Sequence, residues 1–163
     1  MKEEITFINF RKEHGLQLIQ VWRKSFTQAM GIEEDTREEE VNEHLVYLQT
    51  YNPEIIRVAL ENKNKIVGFM AKEENTIKDL FIHVEYQRKG LGSRFINQAK
   101  VKEEFLTLST FQLNKGAQQF YEFHDFVIAR VGFAGVEGNA WASSKEQLAD
   151  ITYEWERTHL EMK

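Results

Sequence analysis

The sequence predicts an α+β fold, an α/β mixed sheet of about seven mostly antiparallel strands flanked by about four helices. Three observations predict it. Apolar residues recur at helical spacing through most of the first fifty positions, then switch to short apolar runs. Three such runs between Ile55 and Val84 follow one another across short polar connections, which makes an antiparallel meander. From Thr76 to Thr110 the order is strand, helix, strand, and a right-handed crossover of that kind sets its two strands parallel. At 163 residues the chain fits a single domain, residues 1–163.

Each element has its own signal. Ile5, Phe7 and Asn9 alternate with Thr6, Ile8 and Phe10, a first strand of mixed burial. Residues 13–29 read as a helix with Ile19, Trp22 and Phe26 near one face. After the loop Gly31–Asp35, Thr36 and Glu39 have the spacing of a capping box, so a helix is expected to start there. Its apolar face is Val41, His44, Leu45 and Leu48, and Pro53 prevents much continuation. Ile55–Leu60 and Ile66–Ala71 are strands around the polar turn Glu61–Lys65, and Thr76–Val84 is the third. A helix from about Leu91 to Glu104 turns Phe95, Ile96 and Ala99 inward, and Phe105–Thr110 is a strand. Asn114 can cap a helix whose face is Ala117, Phe120, Tyr121 and His124. Phe126–Val131 and Ile151–Trp155 are the last strands, with the glycine-rich loop Gly132–Ser144 between them.

Composition removes several function classes. There is no cysteine, so disulfides, zinc–thiolate sites and cysteine nucleophiles are excluded, and a reducing cytoplasmic home is natural. A net charge of −5 argues against a nucleic-acid partner. Met1–Phe7 lacks the apolar core of a signal peptide, and no apolar run reaches membrane-spanning length. The histidines at 14, 44, 83, 124 and 159 show no ligand spacing, so no metal is expected. No Gly-x-Ser-x-Gly elbow is present, which argues against a serine hydrolase.

The chemistry concentrates where the third strand of the meander meets a helix. Strand Leu80–Val84 runs into Gln87-Arg-Lys-Gly-Leu-Gly92. Gly90 and Gly92 bare the backbone, and amides at a helix start have no internal partners. The helix dipole adds positive potential there, and Arg88 and Lys89 add charge. Such a junction suits an anion, a diphosphate in particular. A P-loop is not formed, because no Gly-Lys-Ser/Thr follows, and the dinucleotide fingerprint lacks its third glycine.

Gln87-Arg-Lys-Gly-Leu-Gly resembles the Q/R-x-x-G-x-G/A signature of the GCN5-related N-acetyltransferase (GNAT) superfamily. A second segment, Asn114-Lys-Gly-Ala-Gln-Gln-Phe-Tyr121, resembles the family's N-x-x-A-x-x-F-Y stretch after the fifth strand. The resemblance covers about Ile55–Trp155 well and the first two helices only as topology. It departs at one place: Asp125 stands where the family usually has glycine before Phe126. Aspartate tolerates the left-handed region better than most residues, so Asp125 is predicted to end its helix with positive φ.

The resemblance implies a sheet splayed between strands 4 and 5, with acetyl-CoA as co-substrate in that cleft. Phe81 and Ile82 would pair with the pantetheine arm through their backbones. The N–H groups of Arg88, Lys89, Gly90, Leu91, Gly92 and Ser93 would hold the pyrophosphate, and Asn114 would contact the pantetheine region. Tyr121 would protonate the departing thiolate. A thiol has a pKa of about 8.5 and a phenol about 10, so a tyrosine can donate as charge develops on sulfur. An N–H near Ile82 would polarise the thioester carbonyl. The implied activity is acetyl transfer to an amine by direct attack in a ternary complex. A non-catalytic CoA-binding module of the same fold is the alternative.

No residue stands out as general base. The family's early fourth-strand carboxylate position falls at about Thr76, which cannot serve. Glu73, Glu74, Asp79, His83 and a water relay stay open. The acceptor is a small-molecule amine or a protein or peptide amine. The loop Met30–Asp35 places Glu33, Glu34 and Asp35 beside apolar residues, which suits a cation. The loop Gly132–Ser144 with Trp141 is either a substrate lid or a homodimer contact.

Overall fold

In the computed structural model, which describes residues 4–158, strands and helices follow one another in the predicted order. The strands are β1 (Ile5–Asn9), β2 (Ile56–Glu61), β3 (Lys65–Glu73), β4 (Thr76–Ile82), β5 (Phe105–Phe111), β6 (Val127–Phe133) and β7 (Ala149–Glu156). The α-helices are α1 (Gly15–Met30), α2 (Glu38–Leu48), α3 (Leu91–Lys102) and α4 (Lys115–Phe123). The sheet order is β1-β2-β3-β4-β5-β7-β6. Pairings β1–β2, β2–β3, β5–β7 and β6–β7 are antiparallel, and β4–β5 is parallel through Thr76↔Thr107. β7 inserts between β5 and β6, an order that local sequence signals do not carry.

The chain resolves into two compact units. One holds residues up to Glu73 together with Ile77–Phe95; the other holds Glu74–Thr76 and the residues from Ile96 onward. The core of the first gathers Leu18, Ile19, Val21, Leu48, Tyr51, Ile56, Val58, Leu60, Ile66, Phe69 and Ala71. Trp22, Val41, Leu45 and Phe81 pack against it. Phe69 meets Trp22 of α1, while its neighbour Gly68 faces Phe95 of α3. Successive strand residues point to opposite faces, so α1 and α3 cover opposite sides of β3. A Cβ on Gly68 would lie 2.8 Å from Ile82 Cδ1, 3.3 Å from the Phe81 carbonyl oxygen and 3.4 Å from the Phe95 ring. The glycine therefore sets how closely the end of β4 and the start of α3 approach β3.

The start of α2 departs from the expectation. The N-cap is Arg37 rather than Thr36, with no side-chain cap bond, and the first turn is Glu38, Glu39 and Glu40. Asp35 has displaced the capping box: its carboxylate accepts from the Arg37 amide at 3.2 Å and guanidinium at 2.7 Å. Three acids at the positive end of the helix dipole compensate for the missing cap.

In the second unit, Leu106, Leu108, Tyr121, Phe126, Ile151, Tyr153 and Trp155 are buried. Arg157 closes the end of α3 by donating to the carbonyls of Lys100 and Glu103. Asn114 Oδ1 accepts the Ala117 amide at 3.0 Å, the predicted cap of α4. At the other end Asp125 has φ 69°. The amides of Phe126 and Asp125 bond back to the carbonyls of Tyr121 and Glu122 at 3.0 and 3.1 Å. That is the Schellman closure, with its hydrophobic contact between Tyr121 and Phe126, whose rings lie 5.6 Å apart. Among the described residues β6 pairs on one side only, and it carries a bulge between Ile128 and Arg130. Val127, Ile128, Val131 and Phe133 are exposed along it. Trp141 in the following loop packs edge-on to Phe111 at 5.0 Å.

The positive φ at Asp125 makes a stability prediction. Asp125→Gly relieves the left-handed strain and should stabilise the protein by about 1 kcal/mol in urea unfolding, with the slope m unchanged.

Candidate functional site

The strand-to-helix turn after β4 is built from local hydrogen bonds. His83 donates its amide to Val67 of β3 at 2.8 Å and accepts the Glu85 amide on Nδ1 at 3.1 Å. Gln87 folds back and donates to the Ile82 carbonyl at 3.0 Å, tying off the strand. Arg88 then adopts φ 63° and Gly90 φ 86°. Nothing would crowd a side chain at Gly90, so its backbone conformation is what calls for glycine there. The Gly90 carbonyl accepts the Arg94 amide at 3.1 Å, so α3 begins at Leu91 and the amides of Leu91 and Gly92 lie in its first turn. Those amides come before the first intrahelical donor.

Positive charge surrounds this turn. Gln87, Arg88, Lys89 and Gly90 are exposed. Lys65 and Lys89 each place an ammonium 5.0 Å from the centre of the buried Tyr86 ring, and Arg94 lies over Phe7 at 4.6 Å. Alternation along β4 completes the arrangement. Because His83 faces β3, the backbone groups of Phe81 share that edge, and those of Ile82 point the other way.

β4 also carries a half-buried carboxylate. Asp79 Oδ2 accepts the Tyr51 hydroxyl at 2.6 Å. Burial pushes the Asp79 carboxyl up to about 6, against the opposing effects of Tyr51 and Lys78. Burial, then Asp79 itself, raise the Tyr51 phenol. Lys78 lays its ammonium over the Tyr51 ring, 4.6 Å from the centroid. Aromatic rings pack on the Tyr51 side of this pair. Trp22 stacks on Phe81 at 5.6 Å and meets Tyr51 at 6.3 Å, and Tyr47 meets Tyr51 at 5.6 Å.

Of the four base candidates, Glu73 and Glu74 are exposed at the β3–β4 turn. His83 has one ring nitrogen engaged, and its pKa is lowered by burial and Lys65. Asp79 alone is held inside a cluster. Tyr51 was missed by the sequence reading. It lies three residues beyond Leu48 and continues the apolar stripe of α2, a signal that reading past the helix end would have caught.

The loop before α2 is held by two clamps. Arg23 donates to the Asp35 carbonyl at 2.6 Å and to His44 Nδ1 at 3.4 Å. Arg37 holds the Asp35 carboxyl down at about 2. Of the three acids there, Asp35 is thus a structural group, Glu34 is half-buried and Glu33 is exposed. His44 meets Trp22 at 4.5 Å, and burial with Arg23 depresses it to about 4.

In the second unit Tyr121 is buried on α4 against Phe120, Phe126 and Tyr153. Tyr153 is anchored by donating to Glu122 at 2.6 Å. Asn114 spends its carbonyl oxygen on the cap, which leaves its side-chain amide to donate. His124 packs on Phe120 at 4.7 Å, and Lys100 donates to its carbonyl at 2.6 Å. Among the described residues no group of three His, Asp or Glu could hold a metal, and no helix is long and apolar enough to cross a membrane. His159 lies outside the described residues.

Residues 52–128 match a family model described as an acetyltransferase (GNAT) domain. No curated protein matches the chain. Among solved structures, apo YjaB from Escherichia coli has a TM-score of 0.73 at 20% identity, covering 95% of this chain and 99% of that one. Ard1 from Thermoplasma volcanium has a TM-score of 0.65 at 17% identity, covering 95% and 99%. A chain of the NatC complex bound to Gag peptide and CoA has a TM-score of 0.60 at 17% identity, with the same coverage.

The His44 environment predicts a pH dependence. Below the usual 6.5 an unfolded chain protonates His44, whereas the folded protein resists until about 4. Stability from this residue is therefore lost as pH falls from 6.5 towards 4. His44→Phe should remove that loss, narrowing by about 1–2 kcal/mol the stability drop seen by urea unfolding across this window.

Proposed function

We propose that this chain is a GNAT acetyltransferase that moves the acetyl group of acetyl-CoA onto an amine acceptor, a reading supported by the family match over residues 52–128 and by the fold. The observation that carries this reading is the turn from Gln87 to Gly92. There a tied-off strand end, left-handed backbone at Arg88 and Gly90, and the first amides of α3 come together beside exposed Arg88 and Lys89. Amides in the first turn of a helix, with cations nearby, suit a diphosphate. The residues present thus fit the co-substrate: Arg88, Lys89, Gly90, Leu91, Gly92 and Ser93 would hold its pyrophosphate.

The transfer would go by direct attack of the amine in a ternary complex; the chain has no cysteine that could carry an acyl-thioester intermediate. The Ile82 amide, on the edge of β4 away from β3, would donate to the thioester oxygen as charge develops. The Phe81 and Ile82 segment would line the pantetheine arm, with the Asn114 side-chain amide as a further donor. The Tyr121 hydroxyl would give a proton to the leaving sulfur, since a phenol's ordinary pKa of about 10 lies above that of a thiol. Acceptors compatible with this chemistry are small-molecule amines and the amines of proteins or peptides. The NatC chain was solved with a peptide bound.

Two measurements test this. Acetyl-CoA at a hundred times its Kd should stabilise the protein by about 2.7 kcal/mol, read as a rise in Tm. Tyr121→Phe should lower kcat for CoA release on an amine panel by about 100-fold while keeping that stabilisation. Stabilisation with no turnover on any amine would make the chain a CoA-binding module instead.

A further inference from the structure

The geometry points to Asp79 as the group that takes the proton from the acceptor's ammonium, with Tyr51 as the residue that positions it. This rests on the acetyl-transfer reading above. An alkylammonium is protonated at neutral pH, with a pKa of about 10.4, and must lose a proton before it can attack. The acceptor site therefore needs a base. Asp79 is three residues before Ile82 on the same strand. Its Oδ2 is fixed by the Tyr51 hydroxyl at 2.6 Å. Its other oxygen, Oδ1, makes no hydrogen bond among the described residues. Nor is it one of the sealed, unpartnered polar atoms, which are Arg23 Nε and Glu61 Oε2. One oxygen is thus anchored and the other can still accept a proton.

The surroundings suit an ammonium. Trp22 and Tyr47 pack on the Tyr51 that holds the carboxylate, Phe81 stacks on Trp22, and aromatic faces attract cations. The protein already places one ammonium there: Lys78 lies over the Tyr51 ring at 4.6 Å. The titratable and charged groups around Asp79 are Tyr51, Tyr47 behind it, and Lys78; Arg23 and His44 join the cluster through Trp22. Burial raises the carboxyl to about 6, which keeps it ionised at neutral pH yet makes it a better base than a solvated carboxylate.

The step balances. An N–H bond of the ammonium breaks and its proton goes to Asp79 Oδ1, directly or through one water. The freed lone pair attacks the acetyl carbon, the C–N bond forms, and the C–S bond breaks with its electron pair on sulfur. The second amine proton balances the proton that sulfur receives. Asp79 returns its own to solvent, so one proton is released per turnover.

The test measures kcat and kcat/KM for CoA release on a panel of primary amines between pH 5 and 9. It compares the wild type, Asp79→Asn and Tyr51→Phe, with acetyl-CoA stabilisation followed in parallel. The wild-type profile should rise through a limb at about 6. Asp79→Asn should lose the limb and about 100-fold in kcat, while still gaining stability from acetyl-CoA. Its Tm at pH 7 should not fall, since an amide still accepts the Tyr51 hydrogen bond without a buried charge. Tyr51→Phe removes a bond that favours the ionised form, so its limb should move to higher pH. A structural role would leave the limb in place. If Asp79→Asn does not fold, the Tyr51→Phe limb decides. An Asp79→Asn enzyme within threefold of wild type, or an unmoved Tyr51→Phe limb, overturns the proposal. A wild type that binds acetyl-CoA but never turns over overturns the acetyl-transfer reading and this one with it.

Discussion

The first unit depends on a missing atom. Gly68 has no Cβ, and the space one would fill is taken by Ile82, the Phe81 carbonyl and Phe95. That approach seats the end of β4 and the first turns of α3 on β3. The same strand presents Phe69 on its other face to Trp22, which in turn stacks on Phe81. Two adjacent residues, one without a side chain and one with a large ring, thus fix the strand end from both sides. The turn at Gln87–Gly92 and the Tyr51–Asp79 pair both hang on that fixed strand.

What was legible in the sequence was local. The Gln87–Gly92 turn, the Asn114 cap and the left-handed Asp125 all follow from residues within a few positions of one another, and each is found where it was expected. The start of α2 was misread because two local rules competed. Thr36 and Glu39 have capping spacing, but a bidentate Asp35–Arg37 pair is the stronger interaction and moves the start on by one residue. The Tyr51–Asp79 bond joins residues 28 apart, and no short-range pattern announces it. The place of β7 between β5 and β6 is likewise set by pairing at long range.

Two titratable groups in the first unit work against each other in acid. The depressed His44 costs stability as pH falls below 6.5, while the raised Asp79 relieves a burial penalty as it takes up its proton below about 6. The net slope of stability with pH is therefore shallower than either group alone would give. A buried carboxylate that weakens the fold when charged is also a common mark of a site where chemistry rather than packing decides the residue.

The open side of β6 has a consequence for handling the protein. Among the described residues β6 has a single neighbour; such a strand leaves backbone donors and acceptors along one edge, and edges of that kind invite other chains to pair. Here Val127, Ile128, Val131 and Phe133 are exposed along that strand, and Arg130, tied to Thr152 at 3.3 Å, is its only charge. That guanidinium and the bulge beside it, which spoils the regular pairing of a flat edge, are the features of this strand that discourage such pairing.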